Sequence, residues 1–78
     1  MVMPEIEIRL FATLAACSPE QAQAFPITSG MTIGQVLTQI KVPLEQAKLI
    51  FVNGIRARLD TCLKGGERVG IFPPVGGG

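Results

Sequence analysis

A chain of 78 residues buries only about 60–65% of the surface it exposes when unfolded, so it holds one domain with an economical core. Seven Lys and Arg stand against six Asp and Glu, for a formal charge of +1, and there is no His, Tyr or Trp. That balance gives no electrostatic footing for nucleic acid, no ready base-stacking platform, and neither the commonest general base nor the commonest metal ligand.

Hydrophobic residues make up 47% and charged residues 17% of the sequence, too apolar a mixture for disorder. So much apolar surface in a small domain implies that some of it faces a partner. No apolar run approaches the roughly 18 residues of a membrane span, and Met1 opens no basic-then-apolar leader, so the expected location is the cytoplasm. The two cysteines, Cys17 and Cys62, form no Cys-x-x-Cys pair and read as reduced, partly buried thiols. No metal site is expected.

Glu5 to Ala12 alternates, with Ile6, Ile8 and Leu10 on one face and Glu5, Glu7, Arg9 and Phe11 on the other, the pattern of a half-buried strand. Thr13 to Glu20 reads as a turn or short helical excursion. Gln21 to Thr28 reads as a second extended segment, confined by Pro26 to a sheet edge, and Ser29-Gly30 turns the chain. Thr32 and Gln35 form a capping box. Behind them Ile33, Val36, Leu37 and Ile40 fall at i, i+3, i+4 and i+7, one stripe of a short amphipathic helix that is expected to end at Val42-Pro43.

Leu49-Ile50-Phe51-Val52 is an apolar run leading into Asn53-Gly54, the strongest short hairpin signal, and Ile55 to Leu59 returns with alternation. Leu59 to Leu63 is expected to form a single helical turn. Lys64-Gly65-Gly66 turns again, and Arg68 to Phe72 is the final strand, with Val69 and Ile71 inward and Phe72 outward. Strand, strand, helix, hairpin and strand with one principal helix is an α+β arrangement, a mixed four- to five-stranded sheet wrapped on that helix. A single helix covers one side of a sheet. If the first and last strands lie side by side at its centre, Phe11 and Phe72 meet on the uncovered side, with Ile50 or Val52 beside them, as a hydrophobic partner-binding patch.

The domain is expected to span residues 1–72 and to be followed by a flexible tail over 73–78. Pro73 and Pro74 fix φ and lack N–H donors, so they stop the ladder and extend the backbone as a stalk. After Val75, the residues Gly76, Gly77 and Gly78 have no Cβ and can thread a slot too narrow for side chains.

These features, namely the order of elements, Val52-Asn53-Gly54, the stretch Leu63-Lys64-Gly65-Gly66-Glu67-Arg68-Val69 and above all Phe72-Pro73-Pro74-Val75-Gly76-Gly77-Gly78, resemble the ubiquitin-like β-grasp sulfur carriers over essentially the whole chain. The nearest resemblance is to the small subunit of molybdopterin synthase (MoaD-like), and the thiazole-pathway carrier (ThiS-like) is a cousin. The resemblance implies that Gly78 is adenylated by an E1-like adenylyltransferase (MoeB/ThiF-like) using ATP and is then thiocarboxylated. It implies that the tail donates sulfur within the molybdopterin synthase large subunit (MoaE-like), in molybdenum or tungsten cofactor assembly, or to a thiazole synthase. The chain itself would hold no cofactor and perform no catalysis alone. Two other readings remain: a protein modifier joined to target lysines through the same activated Gly78, and a β-grasp interaction domain with an inert tail.

Overall fold

The computed structural model describes residues 4–74. Five strands, β1 (Glu5–Leu10), β2 (Phe25–Pro26), β3 (Leu49–Val52), β4 (Ile55–Arg56) and β5 (Arg68–Phe72), form one sheet in the order β2-β1-β5-β3-β4. The first and last strands pair in parallel, Ile8 opposite Val69 and Leu10 opposite Ile71, while the other pairings are antiparallel. Among the described residues one α-helix, α1 (Ile33–Gln39), and short 3₁₀ turns at Ala12–Cys17, Ala22–Ala24 and Leu44–Gln46 accompany the sheet.

The alternation of β1 decides which face is covered. Ile6, Ile8 and Leu10 are buried together with Val69 and Ile71 of β5, Ile50 of β3 and Phe25 of β2, against Ile33, Val36 and Leu37 of α1. Leu14, Ile27, Val42 and Leu63 are buried in the same core. A seven-residue helix has no independent stability in water, so this stripe and its caps hold it. At the N-terminus the Thr32 hydroxyl accepts from the Gln35 N–H (3.2 Å) and the Gln35 side chain accepts from the Thr32 N–H (2.9 Å), the predicted capping box.

The helix ends earlier than Val42-Pro43. Lys41 adopts φ 65°, its N–H donates to the Thr38 carbonyl, and the Val42 N–H reaches back to the Leu37 carbonyl at 2.9 Å. This is a Schellman cap, closed by a lysine where glycine is usual. Proline thus follows a stop that the backbone has already made.

Two further expectations are corrected. The segment over Ala22–Ala24 is a 3₁₀ turn and only Phe25–Pro26 pairs as a strand, with Phe25 and Ile27 buried in the core. No helical turn forms between Leu59 and Leu63. That segment runs alongside the start of α1, with Leu59 and Thr61 carbonyls accepting from Gly34 (2.8 Å) and Ile33 (3.0 Å) and an isolated bridge between Cys62 and Thr32. The contact also explains a glycine inside a helix, since a Cβ on Gly34 would lie 3.3 Å from the Leu59 carbonyl oxygen.

The turn of the hairpin forms as predicted, Asn53 and Gly54 having φ 52° and 82°, the paired positive values of a two-residue type I′ turn, but the returning strand is only Ile55–Arg56 and does not run on to Leu59. Asn53 also ties the turn to the sheet, its Oδ1 accepting from the Arg68 N–H at 2.9 Å.

Candidate functional site

The sheet face turned away from α1 is where the structure gathers the residues of interest. Glu7 and Arg9 of β1 and Phe11 just beyond it stand beside Arg68, Gly70 and Phe72 of β5, with Phe51 of β3 opposite Gly70. Phe11 and Phe72 meet as expected: their rings stack with centroids 4.2 Å apart and planes within 2°. Phe51 packs edge-on against Phe72 at 5.8 Å and 86°. Phe11 is held in place by its own N–H, which continues the parallel ladder by donating to the Ile71 carbonyl at 3.2 Å.

The expected companions Ile50 and Val52 are not part of this patch. Ile50 pairs with Ile71 and Val52 with Val69, both inward-facing partners. Ile50 is buried in the core and Val52 packs against it. Because side chains alternate along a strand, the outward residues of β3 are Leu49 and Phe51, and Phe51 takes the third aromatic place.

Beside the packed rings lies a shallow cleft of about 160 Å³, lined by Phe11, Phe51, Phe72, Gly70 and Gly54 and flanked by Arg9 and Arg68. Both arginines reach toward a single carboxylate. The Arg9 Nε–H donates to Glu7 Oε2, and the Arg68 Nε lies 3.7 Å from Glu7 Oε1. The hydrogen bond from Arg9 holds the Glu7 carboxyl below its ordinary value against the opposing effect of burial, and the charges of Arg9 and Arg68 add to it.

At the sheet's exit, the Phe72 carbonyl accepts from the Lys48 N–H at 3.0 Å. Pro73 is buried and Pro74 exposed, so the chain leaves the globule between the two prolines. Val75, Gly76, Gly77 and Gly78, the rest of the predicted tail, lie outside the described residues.

Sequence reasoning missed Phe51 and Gly70. Phe51 sits in a run that is apolar at every position, where period-2 patterning carries no face. Gly70 did carry a signal, because glycine inside a strand marks either a bulge or space wanted above the backbone. Among the described residues no helix is long and apolar enough to cross a membrane.

A mixed five-stranded sheet folded over one helix, with first and last strands parallel at its middle, is the ubiquitin-like β-grasp. Residues 8–78 match the ThiS family, and the chain belongs to it. Solved structures agree on the fold. Small archaeal modifier protein 1 of Haloferax volcanii superposes with a TM-score of 0.71 at 22% identity, covering 92% of this chain and 99% of that one. The Haloferax volcanii protein HVO 2177 gives 0.72 at 24% identity, covering 97% and 88%. A Pyrococcus furiosus protein assigned as molybdopterin converting factor, subunit 1, gives 0.66 at 22% identity, covering 92% and 99%. No curated protein matches the chain. It is a small ThiS-family protein, of a group that carries rather than catalyses and works in general with an E1-like activating enzyme.

Proposed function

We propose that this chain is a sulfur carrier whose Gly78 carboxylate is activated by an E1-like adenylyltransferase and converted to a thiocarboxylate that donates sulfur in molybdopterin biosynthesis. The chemistry explains the division of labour. A carboxylate is a poor electrophile; attack of its oxygen on the α-phosphorus of ATP releases pyrophosphate and leaves an acyl-adenylate, from which a sulfur nucleophile displaces AMP. The enzyme encloses that anhydride and excludes water, and a terminus of Val75-Gly76-Gly77-Gly78 presents little side-chain bulk to the enclosure. The carrier needs no general base of its own, consistent with a sequence free of histidine. The acceptor in this reading is a molybdopterin synthase large subunit.

The observation that carries the proposal is the continuity of the outer aromatic patch with the root of the tail: Phe72 belongs to the patch, and the chain leaves the globule immediately after Pro73. A partner that docks on the patch stands next to the tail it must take in. Intact mass spectrometry of the protein from its native host tests this. The expected result is an oxygen-to-sulfur mass increase located at Gly78, lost on deletion of Gly78 without change in melting temperature. A mature chain that extends beyond Gly78 and is never trimmed overturns it.

A second reading, a protein modifier, is favoured by the likeness to an archaeal modifier protein; its mark is a set of adducts on target lysines. Co-purification of a large synthase subunit or of a thiazole synthase assigns the acceptor.

A further inference from the structure

Gly70 has no visible structural need to be glycine. It lies in the interior of β5, where glycine weakens a strand by roughly 0.5–1 kcal/mol relative to alanine. A Cβ built there would meet only Phe11 Cε2, at an ordinary 3.6 Å, and its φ lies outside the left-handed region. What the missing methyl provides is depth in the cleft that Phe11, Phe51 and Phe72 border. The charge around that cleft is unbalanced. Arg9 and Arg68 have side chains 58% and 65% exposed and share the single carboxylate of Glu7, and one carboxylate cannot occupy the donors of two guanidinium groups. The site therefore fits an apolar side chain flanked by carboxylates.

We propose that the cleft above Gly70 receives one apolar side chain from the enzyme surface surrounding the tail's entry slot, and that carboxylates beside that side chain take Arg9 and Arg68 over from Glu7. The proposal rests on the sulfur-carrier reading and adds to it a lock for recognition. Glu7 acts in it as an internal competitor that holds the arginines extended over the cleft rim while the protein is free, and that weakens docking by occupying them.

The test is the adenylation of the full chain by the E1-like activating enzyme of its host with ATP, followed as a function of carrier concentration. Gly70→Ala is expected to raise KM at least about tenfold, the scale of one added methyl in a fitted apolar pocket, with kcat held and melting temperature no lower than wild type. Glu7→Gln, which keeps the side chain's shape, is expected to lower KM roughly threefold at low ionic strength, the scale of exposed ion pairs, with the gain gone at about 0.5 M salt. Unchanged KM in Gly70→Ala overturns the cleft, and unchanged or raised KM in Glu7→Gln overturns the exchange of arginine partners. Should Gly70→Ala fail to fold, Glu7→Gln and its salt dependence decide alone. A wild-type chain that is never adenylated overturns the sulfur-carrier reading and this proposal together; a wild-type chain that is adenylated with unaltered variants overturns only this one.

Discussion

The stacked pair Phe11–Phe72 lends itself to a double-mutant cycle. Truncating a fully buried Phe to Ala costs about 3–5 kcal/mol, and both rings here are only partly covered, Phe11 remaining 37% exposed. Phe11→Ala should therefore cost about 1–2 kcal/mol. Phe72 also holds Phe51 edge-on at 5.8 Å, so Phe72→Ala should cost about 2–3 kcal/mol, which in a domain of this size lowers the melting temperature by roughly 10–20 °C. Aromatic pairs contribute about 0.5–1.5 kcal/mol beyond their buried area, and the double variant should fall short of additivity by that amount. Urea unfolding followed by far-UV circular dichroism measures all four corners, since the chain has no Trp or Tyr to report by fluorescence. Additivity within about 0.3 kcal/mol, the range found for independent sites, would refute the stack and with it the meeting of β1 and β5 ends on the outer face.

Two further predictions concern the turn that feeds β5. The Glu67 carboxylate accepts from the backbone N–H groups of Lys64 (2.8 Å) and Gly65 (2.7 Å); burial works to raise its pKa, but these bonds prevail and bring it below the ordinary value of 4.5. A carboxyl held lower in the folded than in the unfolded state stabilises above its unfolded pKa and loses that contribution as pH falls through the folded one. Wild type should therefore weaken below about pH 4.5, and Glu67→Gln, less stable at pH 7, should show a shallower acid loss in thermal melts; an equally steep loss counts against the capping role. Gly65→Ala should cost at least about 2 kcal/mol, because φ is +125° and the new Cβ would lie 2.7 Å from Pro4 Cβ. Gly66→Ala, with φ +85° and open space around it, should cost only about 1–2 kcal/mol; urea midpoints showing the two equal would deny the close approach of Pro4.

What could be read in advance follows from how local each signal is. The alternation of Ile6, Ile8 and Leu10, the Thr32–Gln35 capping box and the Asn53-Gly54 turn are each settled by a few neighbouring residues, and all three form. The meeting of Phe11 with Phe72 needed only the assumption that the first and last strands are neighbours. Ile50 and Val52 were misplaced because Leu49-Ile50-Phe51-Val52 is apolar at every position: its faces are set by the register with β5, Ile50 opposite Ile71, a long-range choice that no local pattern encodes. The helix end misled for a related reason. Proline at 43 advertises a stop, yet the stop is made by Lys41 in a conformation its residue type disfavours. Likewise Leu59 to Leu63 had spacing enough for a helical turn, but their carbonyls are drawn to the first N–H groups of α1.

The placement of the last strand has a bearing on how the protein comes into being. Strand β5 lies between β1 and β3, so a nascent chain that has not yet reached Arg68 has two separate fragments of sheet, each with an unsatisfied edge open to mispairing. Such a topology is closed late and by contacts distant in sequence, the kind that slow folding. Synthesis must run through Phe72 before the five-stranded sheet can close.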